Sequence, residues 1–160
     1  MSKVPALLKW IGNKQRFAET IISYMPEQFN NYYEPFLGSG AVMAQLLYQN
    51  STTNTPMFTH SYASDILPFL FDIFNIVKYD PQQTKDYYSK EIESYYKDPN
   101  NKYNEIRDRF NSNHNALDFC LLSRTCYSGI IRFRKADGYH PARARQPHFG
   151  SCEPFAPDAI

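Results

Sequence analysis

Apolar side chains recur at helical spacing over residues 14–25, where Phe17, Ile21, Ile22 and Met25 share one face and Pro26 stops the run. Residues 31–36 read as a short strand that runs into the turn Leu37-Gly38-Ser39-Gly40. A second helix over roughly 40–49 follows, with Val42, Met43, Leu46 and Leu47 inward. The polar stretch 51–56 is a connection. A second strand over about 58–64 ends at Asp65, and residues 67–78 read as another helix with Phe71, Phe74 and Val77 on one face. Helix, strand, glycine turn, helix, strand, helix is the alternation of a parallel α/β sheet, in which ligands sit beyond the carboxyl ends of the strands.

The pattern changes after residue 80. Asp80-Pro81 opens a charged helix bearing Tyr87, Tyr88, Tyr95 and Tyr96, and Asp98-Pro99-Asn100-Asn101 breaks it. Helical segments follow over about 102–111 and 115–125, the last with Leu117, Cys120, Leu121 and the stem of Arg124 on its apolar face. Residues 126–140 hold Gly129, Ile131, Phe133 and the turn pair Asp137-Gly138, and predict a hairpin. The tail 141–160, with Pro141, Pro147, Pro154 and Pro157, predicts no regular structure.

Charge is unevenly placed. The chain of 160 residues has a net charge of +1, but residues 124–145 carry six Lys and Arg against one acid. That segment is either a solvated hairpin or a surface for phosphates. Aromatic residues make up 16% of the chain, enough to supply both core packing and stacking on a base or a sulfonium. Three cysteines at uneven spacing, Cys120, Cys126 and Cys152, do not form a disulfide framework. With His140 and His148 they include metal-ligand types, but none falls at a usual ligand spacing, so no metal is expected. No signal peptide and no apolar run of about 20 residues appear, so the expected location is cytoplasmic and off the membrane.

The sharpest chemical feature is Glu34-Pro35-Phe36-Leu37-Gly38-Ser39-Gly40 at a strand-to-helix turn. Glycine lets the backbone approach a ligand closely, and a helix amino terminus offers N–H groups. A dinucleotide fingerprint would require Gly or Ala three residues after Gly40, where Met43 stands. Glu34 suits a ligand ammonium and Phe36 a cationic sulfur. Asp65, at the next strand end, suits a pair of ribose hydroxyls, or else a helix N-cap. Lys9-Trp10-Ile11-Gly12-Asn13-Lys14 reads either as a helix start with a packed Trp or as a lid, with Lys14 near a ligand carboxylate.

Lys9-Trp10-x-Gly12-x-Lys14, Glu34-Pro35-Phe36-x-Gly38-Ser39-Gly40-Ala41, Ser64-Asp65-Ile66 and the run from Ser123 to Lys135 occur in an order and spacing that resembles the Dam-type adenine-specific DNA methyltransferases. The resemblance covers roughly residues 5–139. It implies a partial Rossmann-like S-adenosylmethionine-binding sheet over 1–80, a helical insertion and basic hairpin for DNA recognition over 81–140, and an irregular tail over 141–160. It implies cofactor contacts at Trp10, Lys14, Glu34, Pro35, Phe36, Gly38, Gly40 and Asp65. Double-stranded DNA is the implied partner, met by Arg124 at a phosphate, Tyr127 near the target base, Arg132 at a guanine edge, and Arg134 and Lys135. For Arg124 the alternative is a helix C-terminal cation. The family's catalytic tetrapeptide, an acid or Asn followed by two prolines and an aromatic, is absent from the 160 residues. The expectation is therefore an amino-terminal part of the enzyme, inactive alone and missing its carboxyl-terminal partner. The alternatives are a non-catalytic S-adenosylmethionine- or DNA-binding protein and a nicotinamide oxidoreductase fragment.

Overall fold

The computed structural model describes residues 4–126 and 129–133. They form two strands and six helices, a mixed α/β arrangement. Contacts group the described residues into two compact units: 4–7 with 11–67, and 8–10 with the chain from 68 onward.

The first unit holds α1 (Ala18–Ser23), β1 (Asn31–Glu34), α2 (Ala41–Thr52) and β2 (His60–Ala63). The strands pair in parallel, Asn31 with His60 through Glu34 with Ala63. Parallel neighbours need a crossover, and α2 provides it. The predicted helix 14–25 shrinks to Ala18–Ser23. Its first residues are diverted because the Asn13 side chain takes the Gln15 N–H at 2.8 Å and the Phe17 N–H bonds the Lys14 carbonyl at 2.8 Å, which makes turns rather than helix. Phe17, expected inward, is exposed. Helix α2 runs three residues beyond its predicted end, into the polar stretch, where the Ser51 and Thr52 hydroxyls bond back to the Tyr48 carbonyl. Its buried face is Ala41, Val42, Gln45 and Leu46, while Leu47 is exposed. The core is Ala18, Ile22, Val42, Leu46 and Phe58, with Phe29 and Tyr32 packed against it.

The second unit holds α3 (Pro68–Tyr79), α4 (Pro81–Lys97), α5 (Pro99–Asn113) and α6 (Ala116–Thr125). Asp80 caps α4 by accepting from the Gln83 N–H at 3.0 Å, Asp98 caps α5 through Asn101, and Asn115 caps α6 through Leu117 and Asp118. Each Asp precedes a proline at the first helical position, where no N–H is lost from the ladder. The predicted break at 98–101 is therefore one capping residue. The predicted face of α3 is displaced: Phe69, Leu70 and Ile73 are buried, whereas Phe71 is exposed. Phe69 meets Phe119 with ring centroids 4.5 Å apart and Phe110 at 5.2 Å. Helix α6 is buried on every side from Ala116 to Ser123, not on one face. Of the predicted hairpin 126–140, only Cys126 and 129–133 lie among the described residues, with Ile131 buried and the Phe133 ring 6.1 Å from Phe69. The tail 141–160 lies outside them. No helix among the described residues is long and apolar enough to cross a membrane.

Candidate cofactor site at the strand ends

The chain leaves β1 at Glu34 and must turn at once into α2. It does so with two left-handed residues, Gly38 at φ 51° and Gly40 at φ 63°, the latter the N-cap of α2. Side chains rarely adopt that region, so glycine fits both positions. Hydrogen bonding between the two chain segments continues past the strands: the Ser64 N–H donates to the Glu34 carbonyl at 3.1 Å and the Leu37 N–H to the Ser64 carbonyl at 2.9 Å. The Ser64 hydroxyl adds a bond to the Pro35 carbonyl at 3.1 Å.

This pairing brings Asp65 to the glycine turn. Its Oδ2 accepts from the Gly38 N–H at 2.9 Å, and its Oδ1 accepts from the Leu67 N–H at 3.2 Å. A carboxylate offers about four acceptor positions, so two remain for a ligand hydroxyl pair. The two features picked out from the sequence as neighbouring strand ends are in direct contact.

Glu34 is tied into the same corner. It accepts from the Tyr32 hydroxyl at 3.0 Å and from the Met43 N–H in the first turn of α2. Burial raises its pKa above the usual carboxylate value, and both hydrogen bonds oppose that rise. Burial, the nearby Glu34 charge and the shared hydrogen bond push the Tyr32 phenol up. Tyr32 was not singled out from the sequence, although its position two residues before Glu34 puts both on one face of a strand. Phe36 is 89% exposed and Pro35 is exposed beside it, whereas Ser39 is buried. Lys14 is exposed. Trp10 belongs to the second unit, where its ring stands edge-on to Phe119 at 5.6 Å.

In the second unit Arg124 is half-buried in the last turn of α6 and hydrogen-bonds the Cys120 thiol. Burial pushes that thiol up to about 11, and Arg124 opposes the shift. Arg132 is exposed. Tyr127, Arg134 and Lys135 lie outside the described residues. Sequence reading also missed a charged group centred on Arg109, which reaches Asp118, Glu91 and Glu105 from one guanidinium. Arg109 is 9 residues from Asp118 and 18 from Glu91, so no local pattern signals those pairs. Among the described residues no three His, Cys, Asp or Glu side chains gather as metal ligands would.

The model of the D12 class N6 adenine-specific DNA methyltransferase family matches residues 10–149. The DNA adenine methylase of Vibrio cholerae serotype O1 is 31% identical over 162 residues, which cover 96% of this chain and 53% of that protein. The type II methyltransferase M.MjaIII of Methanocaldococcus jannaschii is 30% identical over 149 residues, covering 83% of this chain and 50% of that protein. The DNA N-6-adenine-methyltransferase of Escherichia phage P1 is 24% identical over 90% of this chain and 18% of its own length. The chain thus spans about half the length of the first two of these relatives. With a family model matched from residue 10 to residue 149, the chain belongs to the D12 class of N6 adenine-specific DNA methyltransferases.

Proposed function

We propose that this chain supplies the cofactor-binding and DNA-facing part of an enzyme that moves a methyl group from S-adenosylmethionine to the exocyclic amine of adenine in a short duplex site. The observation that carries this reading is the 2.9 Å bond from the Gly38 N–H to Asp65, which joins a glycine turn and an acid at adjacent parallel strand ends. The corner fits the cofactor chemically. Asp65 keeps acceptor positions for ribose hydroxyls, Gly38 and Gly40 leave the backbone open to close approach, and the exposed Phe36 ring offers a face to a sulfonium. Glu34 would hold the ammonium, with Pro35 fixing the turn and Lys14 meeting the carboxylate. When bound, S-adenosylmethionine supplies a methyl group already activated by positive sulfur. The part of the sheet described here is taken as the start of a Rossmann-like sheet.

For DNA, the basic balance of residues 124–145 and the exposure of Arg132 support a phosphate- and base-facing segment. Arg124, Tyr127, Arg132, Arg134 and Lys135 are its proposed contacts. The 160 residues contain no acid-Pro-Pro-aromatic tetrapeptide to hold a flipped base, so by themselves they are proposed to bind without methylating. A further stretch of polypeptide supplying that motif is the proposed partner, and the cytoplasm the proposed setting.

Calorimetry tests the reading. S-adenosylmethionine should bind the chain and NAD should not, and Asp65→Ala should weaken binding by about 1–3 kcal/mol. Binding of NAD in place of S-adenosylmethionine overturns the reading, and unchanged affinity in Asp65→Ala removes Asp65 from the site. Labelled S-adenosylmethionine with duplex DNA should give no methylated product from the chain alone.

A further inference from the structure

Helix α2 buries one long polar side chain on its core face. Gln45 is 2% exposed, between Val42 and Leu46 in the apolar pattern. Its Oε1 accepts from the Val4 N–H at 3.0 Å, and its Nε2 has no hydrogen-bond partner among the described residues. A stranded buried donor is costly, and a methionine would fill nearly the same volume without it. What the amide gains is its grip on Val4.

Val4 is held from its other side as well. The Gln15 Nε2 donates to the Val4 carbonyl at 2.7 Å, and the Gln15 N–H is taken by the Asn13 side chain at 2.8 Å. The two glutamines therefore clamp one residue of the amino-terminal segment between them. Asn13 and Gln15 flank Lys14 directly. A chain of hydrogen bonds thus runs from the middle of α2, the helix that starts at the glycine turn, to the backbone on either side of Lys14.

We propose that Gln45 is a positioning residue of the cofactor site, which fixes the Lys14 loop relative to the glycine turn through Val4 and Gln15. The inference rests on the cofactor reading above and assigns it a residue that does not touch the ligand. A side chain kept only for packing would raise stability when present. Gln45→Met removes the stranded donor and the bond to Val4 together, so under the positioning role stability and affinity should move apart when it is replaced.

The test is Gln45→Met in the full 160-residue chain, read by thermal melting, amide hydrogen exchange at Val4 and calorimetry with S-adenosylmethionine. The expected result is an unchanged or higher melting temperature, faster exchange at Val4 and affinity about tenfold weaker. Gln15→Met, at a half-buried position outside the α2 core, should weaken affinity in the same direction and guards against a folding defect in the first variant. Faster exchange at Val4 with unchanged affinity in both variants overturns the positioning role, as does unchanged exchange in Gln45→Met. A wild-type chain that fails to bind S-adenosylmethionine overturns the proposed function itself, which separates the two failures.

Discussion

Two carboxylates share the strand-end corner and meet different surroundings. Asp65 receives two backbone N–H groups across the turn. For Glu34, burial outweighs the bonds from Tyr32 and Met43, so its pKa is raised. A raised carboxyl means that the folded state favours the proton. The stabilisation this gives is fully present below the unfolded carboxylate value of about 4.3 and is lost as pH rises through the raised folded value. Glu34→Gln should therefore gain on the wild type as pH climbs from about 4 into the neutral range, where the wild type carries the buried charge. Urea denaturation at a series of pH values reads this as a widening gap in midpoint, and parallel curves would rule it out. Tyr32→Phe should widen the gap between wild type and Glu34→Gln backgrounds further, because it removes a bond that restrains the rise. The fixed companions of Glu34 also explain how much of the corner was readable from sequence. Gly38, Gly40 and Asp65 announced themselves because backbone turns and strand ends leave residue-type signatures. Tyr32 and Gln45 look like ordinary strand and helix residues until the partner they bond is known.

At the scale of elements, α4 and α5 begin where Asp-Pro pairs stand in the sequence, since a cap and a proline are local chemistry. The face of α3 was not readable in the same way. Its sequence from Pro68 to Val77 is apolar at all but Asp72 and Asn75, so spacing alone offers several equivalent faces. Packing chose Phe69, Leu70 and Ile73, because Phe69 fits between Phe110 of α5 and Phe119 of α6. Arg109 of α5 ties α5 to α6 and α4. Its Nε lies 2.9 Å from Asp118 Oδ2 on α6, and its Nη2 lies 2.9 Å from Glu91 on α4. The Tyr87 hydroxyl on α4 also bonds Asp118. Asp118 is 1% exposed, so loss of its cation leaves a buried carboxylate with only a phenol. Arg109→Met should cost about 3 kcal/mol in urea denaturation, at the lower end for broken buried pairs because the guanidinium is 33% exposed. Adding Asp118→Leu should recover a large part of that loss, since removing both charges ends the uncompensated burial. A loss below about 1 kcal/mol in the single variant would show that the network is solvated and weak.

For the whole molecule, the parallel sheet raises a question of cover. Sheets of this kind have apolar layers on both faces. Tyr32 and Glu34 face the α2 side, while β1 exposes Tyr33 and β2 exposes His60 and Tyr62. The Tyr33 and Tyr62 rings stack with centroids 4.9 Å apart, and His60 stands 6.4 Å from Tyr62. Tyr24, Phe36 and Ile66 add exposed apolar area in the same unit. Exposed aromatic surface on a short open sheet favours association with further copies. The basic stretch 124–145 offers a different route, pairing with acidic surface on another copy. Salt separates the two routes. Apolar association strengthens in sulfate, whereas ionic association is screened. Sedimentation velocity should show association of the 160-residue chain that grows with concentration and with added sulfate. The double variant Tyr33→Lys/Tyr62→Lys should shift it strongly toward monomer, because it places two like charges opposite each other on the strand pair. Association that disappears as salt is raised, and that survives the double variant, would move the cause from the sheet face to the basic stretch.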